Sequence, residues 1–213
     1  MKFICLDNVQ FARRTWQQRN RIKTVKGPQW LTAPVSSKGR RDQLISEVLV
    51  EPGSGFDETC IRAIESNYSR DPRLNAFALE LFTQLRKKHE HLTDLNIDLI
   101  SWVNDRLGDS TPCLRRSSMK TTGSKADLLA AIAAERGADS YLSAPGSREY
   151  LSKNSTFADR GIEVLYHEYE HPIYAQNFPG FEPHLSVVDL LLTVSATRLE
   201  RIRSGIPAAG VVA

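Results

Sequence analysis

Ser124-Lys125-Ala126-Asp127-Leu128-Leu129-Ala130-Ala131-Ile132, followed by Gly137 and then Tyr141-Leu142, is the stretch on which the fold class turns. Serine ahead of an apolar run, with Asp127 three residues on in place of the usual Glu, marks a capping-box start, and Gly137 supplies the stop. A short strand at Tyr141-Leu142 follows the helix directly. The same alternation continues outward. Toward the C-terminus, 161–171 reads as a strand ended by Pro172, and Ser186-Val187-Val188-Asp189 opens a last helix that reaches Arg203 before Gly205. Toward the N-terminus, Leu95, Leu99, Ile100, Val103 and Leu107 form an apolar stripe stopped by Gly108. Leu74, Phe77, Ala78, Leu81, Phe82 and Leu85 form another, and 57–68 has helical spacing. Apolar runs at Phe3–Leu6 and Trp30–Val35 read as strands flanking a basic segment, and 43–50 reads as a third strand ended by Pro52-Gly53. Helices alternating with strands predict an α/β (or α+β) fold, layered around one mixed sheet flanked by helices. With no internal repeat, low-complexity tract or linker, the expectation is a single domain spanning residues 1–213.

The chain has 213 residues, 41% hydrophobic and 25% charged, a globular composition that excludes disorder of the whole. No apolar stretch approaches the roughly 20 residues of a membrane span; the longest, Val187 to Val194, is broken by Asp189. Asp7 arrives too early to leave a signal-peptide core. Cys5, Cys60 and Cys113 are odd in number, far apart in sequence and form no CxxC pair. A cytoplasmic protein with reduced, buried thiols is expected.

The net charge of +3 conceals an asymmetry. Between Asn8 and Arg41 stand nine Lys or Arg and no Asp or Glu, so subtracting nine from +3 leaves −6 on the rest of the chain. Charge gathered locally raises the concentration of an anionic ligand. Within the segment, Arg13-Arg14-Thr15-Trp16 and Arg19-Asn20-Arg21-Ile22-Lys23 interleave cations with amides and indole. Arg binds phosphate or carboxylate bidentately, and Trp16 and Trp30 offer faces to a planar group. Arg14, Arg19, Asn20, Lys23 and Trp30 are therefore expected to bind substrate, converging on one cleft.

His167-Glu168-Tyr169-Glu170-His171 matches the zinc-protease string HExxH, but the residues before it are strand-like and Pro172 blocks a helix. Four residues of strand span roughly 13 Å, too far for one ion, so no metal is expected. Read forward, His171-Pro172-Ile173-Tyr174-Ala175-Gln176 leaves a strand end for a loop, where catalytic side chains gather. His171 can move a proton near neutral pH, Tyr174 can donate and Gln176 can orient a polar group. Ser186 and Asp189 have cap spacing, and a helix start facing a cleft would favour an anion. Thr121-Thr122-Gly123-Ser124-Lys125 lacks P-loop spacing.

These blocks carry a resemblance. Leu6-Asp7-Asn8-Val9-Gln10-Phe11, Arg14-Thr15-Trp16, 19–24 and Trp30-Leu31-Thr32-Ala33-Pro34-Val35 are similar to the opening signature of the WbqC-like family. Tyr141-Leu142-Ser143, Tyr150-Leu151, 171–176 and Leu185-Ser186-Val187-Val188-Asp189-Leu190 resemble its later blocks in the same order. Two departures stand out: a usual N-terminal segment is lacking, and the family's paired Asp after the first strand is here Asp7-Asn8. The resemblance adds Asp7 to the substrate-binding set. It implies O-antigen or other bacterial surface-polysaccharide synthesis, with glycyl, other aminoacyl or acyl transfer to an amino group, such as that of a nucleotide-sugar. The implied donor is an activated acyl or aminoacyl group, and the implied partners are a phosphate-bearing substrate with a carrier protein or aminoacyl-tRNA. His171 would take the proton from the attacking amine. Two other classes fit the same basic segment: a nucleic-acid or aminoacyl-tRNA binding module, and a noncatalytic partner in a biosynthetic complex.

Overall fold

A computed structural model of the chain describes residues 1–68, 74–167 and 170–194, with 74–76 as backbone only. The architecture is α/β. The described chain falls into two compact units, the first made of the segments before Ser118 and from His171 onward, the second of Ser118–Glu170.

In the first unit β1 (Phe3–Cys5) pairs in parallel with β4 (Cys113–Arg115), and β2 (Arg19–Thr24) pairs antiparallel with β3 (Gly27–Thr32). Three helices, α1 (Phe56–Tyr68), α2 (Leu74–Arg86) and α3 (Leu92–Leu107), supply the core. Their apolar stripes bring Ile61, Ile64, Leu81, Phe82, Leu85 and Trp102 into one buried cluster, which also takes Ile22 from β2 and Leu192 from α6 (Val187–Thr193). A second cluster joins Phe11, Ala33, Val48, Leu92 and Leu95. Gly108 ends α3 in the left-handed conformation at φ 66°, which glycine adopts without a Cβ penalty.

The second unit runs α4 (Lys125–Glu135), β5 (Ser140–Ser143), α5 (Arg148–Leu151) and β6 (Glu163–Tyr166), with β5 and β6 parallel in register Ser140↔Glu163 to Ser143↔Tyr166. Ala126, Ala130 and Ala133 on one face of α4 pack with Leu151, Phe157 and Ile162.

Several expectations are corrected in detail. Among the described residues the strands form three two-stranded ladders rather than one sheet. The basic segment does not merely lie between strands: its second half is β2. The expected strand over 43–50 is instead a 3₁₀ turn at Ile45–Glu47, held by Ile45 N to Val9 O (3.0 Å), Ser46 N to Asp7 O (2.7 Å) and Leu44 N to the Glu47 carboxylate (2.8 Å). Ser124 does precede α4, but its side chain makes no cap bond, and Asp127 accepts from Thr156 Oγ1 instead (2.7 Å). Strand β6 stops at Tyr166, short of His171. The last helix is described as far as Thr193, and its expected run to Arg203 lies outside the described residues.

Candidate functional site

Strand β2 positions everything that follows. One edge pairs with β3; along the other, Ser186 N donates to Arg21 O (2.7 Å), Lys23 N donates to the Tyr68 hydroxyl (3.1 Å), and Arg21 N donates to the Asn20 side-chain oxygen (2.8 Å). A polar strand edge is thus covered without another strand. Ile22 is held in the core beneath it, while Arg19, Arg21 and Lys23 share the opposite face by the two-residue period.

Lys23 is only 2% exposed. Its ammonium donates to Gln176 Oε1 (3.2 Å), to Phe178 O (3.0 Å) and to Gly180 O. Three acceptors for three protons is complete satisfaction of an –NH₃⁺ group. Gln176 closes the same loop with its other contacts, Nε2 donating to Glu182 O (2.8 Å) and Oε1 accepting from Glu182 N (2.9 Å). Beside this, Asp189 is fully buried, with one carboxylate oxygen accepting from Tyr68 (2.6 Å) and the other from Tyr174 (2.8 Å). Burial pushes the Asp189 carboxyl above its usual range, against the opposing pull of the two phenol hydrogen bonds and the Lys23 charge. Burial, then the Asp189 charge, pushes the Tyr68 phenol up as well.

On the open side stand Trp16 (57% exposed), in the turn before β2, and Trp30 (39% exposed), on β3, with ring centroids 4.9 Å apart. The Arg19 guanidinium lies 4.0 Å from the Trp30 ring centre, and Arg21 lies 5.5 Å from both indoles. Arg21 also donates to Pro183 O (3.2 Å) and His184 O (3.3 Å). That loop carries His171, whose Nε2 accepts from His184 N (3.1 Å) while Nδ1 faces Pro172 O at 3.0 Å. The pairing assigns the neutral ring with its proton on Nδ1. Tyr174, Phe181 and His184 surround it, with centroids 6.3, 5.8 and 4.9 Å away.

Apart from His171, in the loop that Arg21 holds, the predicted residues separate into three groups. Arg19 and Trp30 meet on an open face. Lys23, Tyr174, Gln176 and Asp189 meet in a closed network, and Ser186 caps α6 by accepting from Val188 N (3.3 Å). Arg14, Asn20 and Asp7 stand apart: Arg14 is exposed in a turn at φ 58°, and Asn20 serves its own strand edge. Asp7, buried, accepts from Ser117 N (2.8 Å) and Ser117 Oγ (2.5 Å). Sequence reasoning did not single out Tyr68, Phe181 or His184, which sit in no chemical motif, and it gave Arg21 no role apart from its neighbours. Of the HExxH string, Glu168 and Tyr169 lie outside the described residues, and β6 geometry reaches no farther than Tyr166.

A cavity of about 740 Å³ opens elsewhere in the first unit, lined by 49–57 and 85–90 segments that include Phe56, Lys87, Lys88 and His89. None of the predicted site residues lines it. Its lysines are already paired, Lys87 with Asp98 (3.0 Å) and Lys88 with Asp57 (2.5 Å).

The Lys23 clamp predicts a stability effect. Lys23→Met strips hydrogen bonds from two backbone carbonyls and one amide, a loss of about 2–4 kcal/mol. A fall in thermal midpoint of roughly 5–15 °C is expected, measured by circular dichroism. An unchanged midpoint would show that water replaces the ammonium at no cost.

An α/β chain with a tryptophan–arginine face joined to a histidine loop is the class that the geometry defines. The chain belongs to the WbqC-like protein family, whose model matches residues 1–201. It is also 34% identical over 204 residues to "Uncharacterized protein Rv1507c" of Mycobacterium tuberculosis, a match covering 95% of this chain and 87% of that protein. No solved structure gives a significant match. Among the described residues no helix is long and apolar enough to cross a membrane.

Proposed function

We propose that the protein is a cytoplasmic transferase that moves an acyl or aminoacyl group onto the amine of a phosphate-bearing substrate, such as a nucleotide-sugar of surface-polysaccharide synthesis. The observation that carries the reading is Arg21, which touches both indoles and also holds the loop that seats His171. In this reading an anion binds Arg19 and Arg21, and a planar group stacks on the exposed Trp30 or Trp16. Neither guanidinium has a carboxylate partner among the described residues, and the Nε atom of each is buried without a hydrogen-bond acceptor. The amine attacks the acyl carbonyl, a C–N bond forms, the activating group leaves, and the amine's proton passes to His171 Nε2. For that, the His184 N–H must first move off Nε2. His184 holds a left-handed φ of 57°, uncommon for a non-glycine residue.

Binding of UDP, followed calorimetrically against salt, tests the first half. Arg19→Gln should weaken it by roughly 10–100-fold, the worth of one charge-assisted hydrogen bond. A shallow salt dependence fits a compact ligand. A steep one, together with tight binding of RNA, would replace this reading with nucleic-acid binding.

A further inference from the structure

Cys5 and Cys113 stand 108 positions apart in the chain, yet strands β1 and β4 bring them together. In that parallel register Cys113 lies opposite Phe3 and Cys5 opposite Arg115, so the two cysteines are diagonal neighbours on one face of the ladder. Their sulfurs are 2.7 Å apart. Both are half-buried, within reach of a small solute, whereas Cys60 is enclosed in the helical core at 3% exposure. Neither belongs to the hairpin or to the histidine loop, and transfer chemistry gives them no task.

We propose that Cys5 and Cys113 form a modification site, an intramolecular disulfide that a low-molecular-weight disulfide makes and a thiol reductant opens. The exchange balances: the thiolate of one cysteine attacks the oxidant's sulfur and expels one thiol, leaving a mixed disulfide. The neighbouring cysteine then displaces the second thiol. Overall the protein loses two hydrogens and the oxidant becomes two thiols. With the two sulfurs already in contact, a small adjustment of the diagonal pair brings them to bonding distance. Burial first, then Cys113 and Asp7, pushes the Cys5 thiol up to about 12. The thiolate is the reacting form, so formation quickens as pH rises.

The bond would act on a specific contact. Two residues after Cys5, Asp7 accepts both hydrogen bonds from Ser117, itself four residues after Cys113. Bridging the cysteines fixes the strands from which both halves of that clasp emerge. Closing a loop of this length also restricts the unfolded chain strongly.

The test uses the full chain incubated with oxidised glutathione at pH 8, then alkylated and digested. The expected product is a peptide pair linking Cys5 to Cys113, reversed by dithiothreitol, with Cys60 alkylated only after unfolding. The thermal midpoint of the oxidised form should rise by roughly 5–15 °C. Cys113→Ser and Cys5→Ser should each abolish the link and leave the remaining thiol carrying glutathione. Wild-type protein that carries glutathione separately on both cysteines, or that leaves both unmodified, would overturn the proposal.

Discussion

His171→Gln is expected to lower turnover by roughly 10²–10⁴-fold while leaving the protein folded and UDP affinity unchanged, the usual contribution of a general base. Glutamine keeps a side chain of similar reach that can still accept from His184 N, so the loop retains its hydrogen bond, but it cannot take a proton. The acidic limb of the pH–rate profile, which a base produces when protonated, should vanish with it. Packing gives the opposite pattern. The ring is bounded by Tyr174, Phe181 and His184, and a purely structural histidine would show its loss as a lower thermal midpoint with turnover intact. Rate, affinity and midpoint measured on one preparation separate the two, and unchanged turnover in a folded variant rejects the base.

Asp189→Ala should destabilise the first unit by about 3–5 kcal/mol, because it removes a buried partner from the Tyr68 and Tyr174 hydroxyls and from the field of Lys23. The melting temperature should fall by roughly 10 °C or more. Asp189→Asn gives the pH test. The folded carboxyl is raised above its ordinary 3.8. Its contribution is therefore fully present below that value and is lost as pH climbs through the folded pKa. Wild type should gain on Asp189→Asn as pH falls from neutral toward 4, in chemical denaturation run at each pH. A gap that narrows instead would mean that the two phenols outweigh burial.

The helices were legible because their apolar periods are long and their stops local: Leu95 to Leu107 ends at Gly108, and the fold places α3 across that span. Strand β2 was hidden because Arg19–Thr24 holds only Ile22 as an apolar residue. Its structure comes from partners far away in sequence, among them Tyr68 and Ser186. Gln43 to Val50 failed for the converse reason: a satisfactory alternation was overridden by backbone bonds to Asp7 and Val9. In the candidate site, residue type singled out His171, Tyr174, Gln176 and Asp189, but not that Tyr174 donates to Asp189 and Gln176 accepts from Lys23. The proximity of Cys5 to Cys113 was invisible, since pairing of β1 with β4 depends on everything folded between them.

The seating of Lys23 sets different rules for neighbouring letters of one charged tract. At 19 and 21 the guanidinium lies against indole and, at 21, is shared with two loop carbonyls, so Lys for Arg keeps the sign of the field but loses the planar fork. At 23 the ammonium is enclosed by three fixed oxygens, and a guanidinium has neither the room nor the tetrahedral geometry to replace it. Swapping one cation for the other would therefore be penalised in opposite directions along a tract uniform in charge, with arginine required where a flat fork is shared and lysine where a compact head is enclosed.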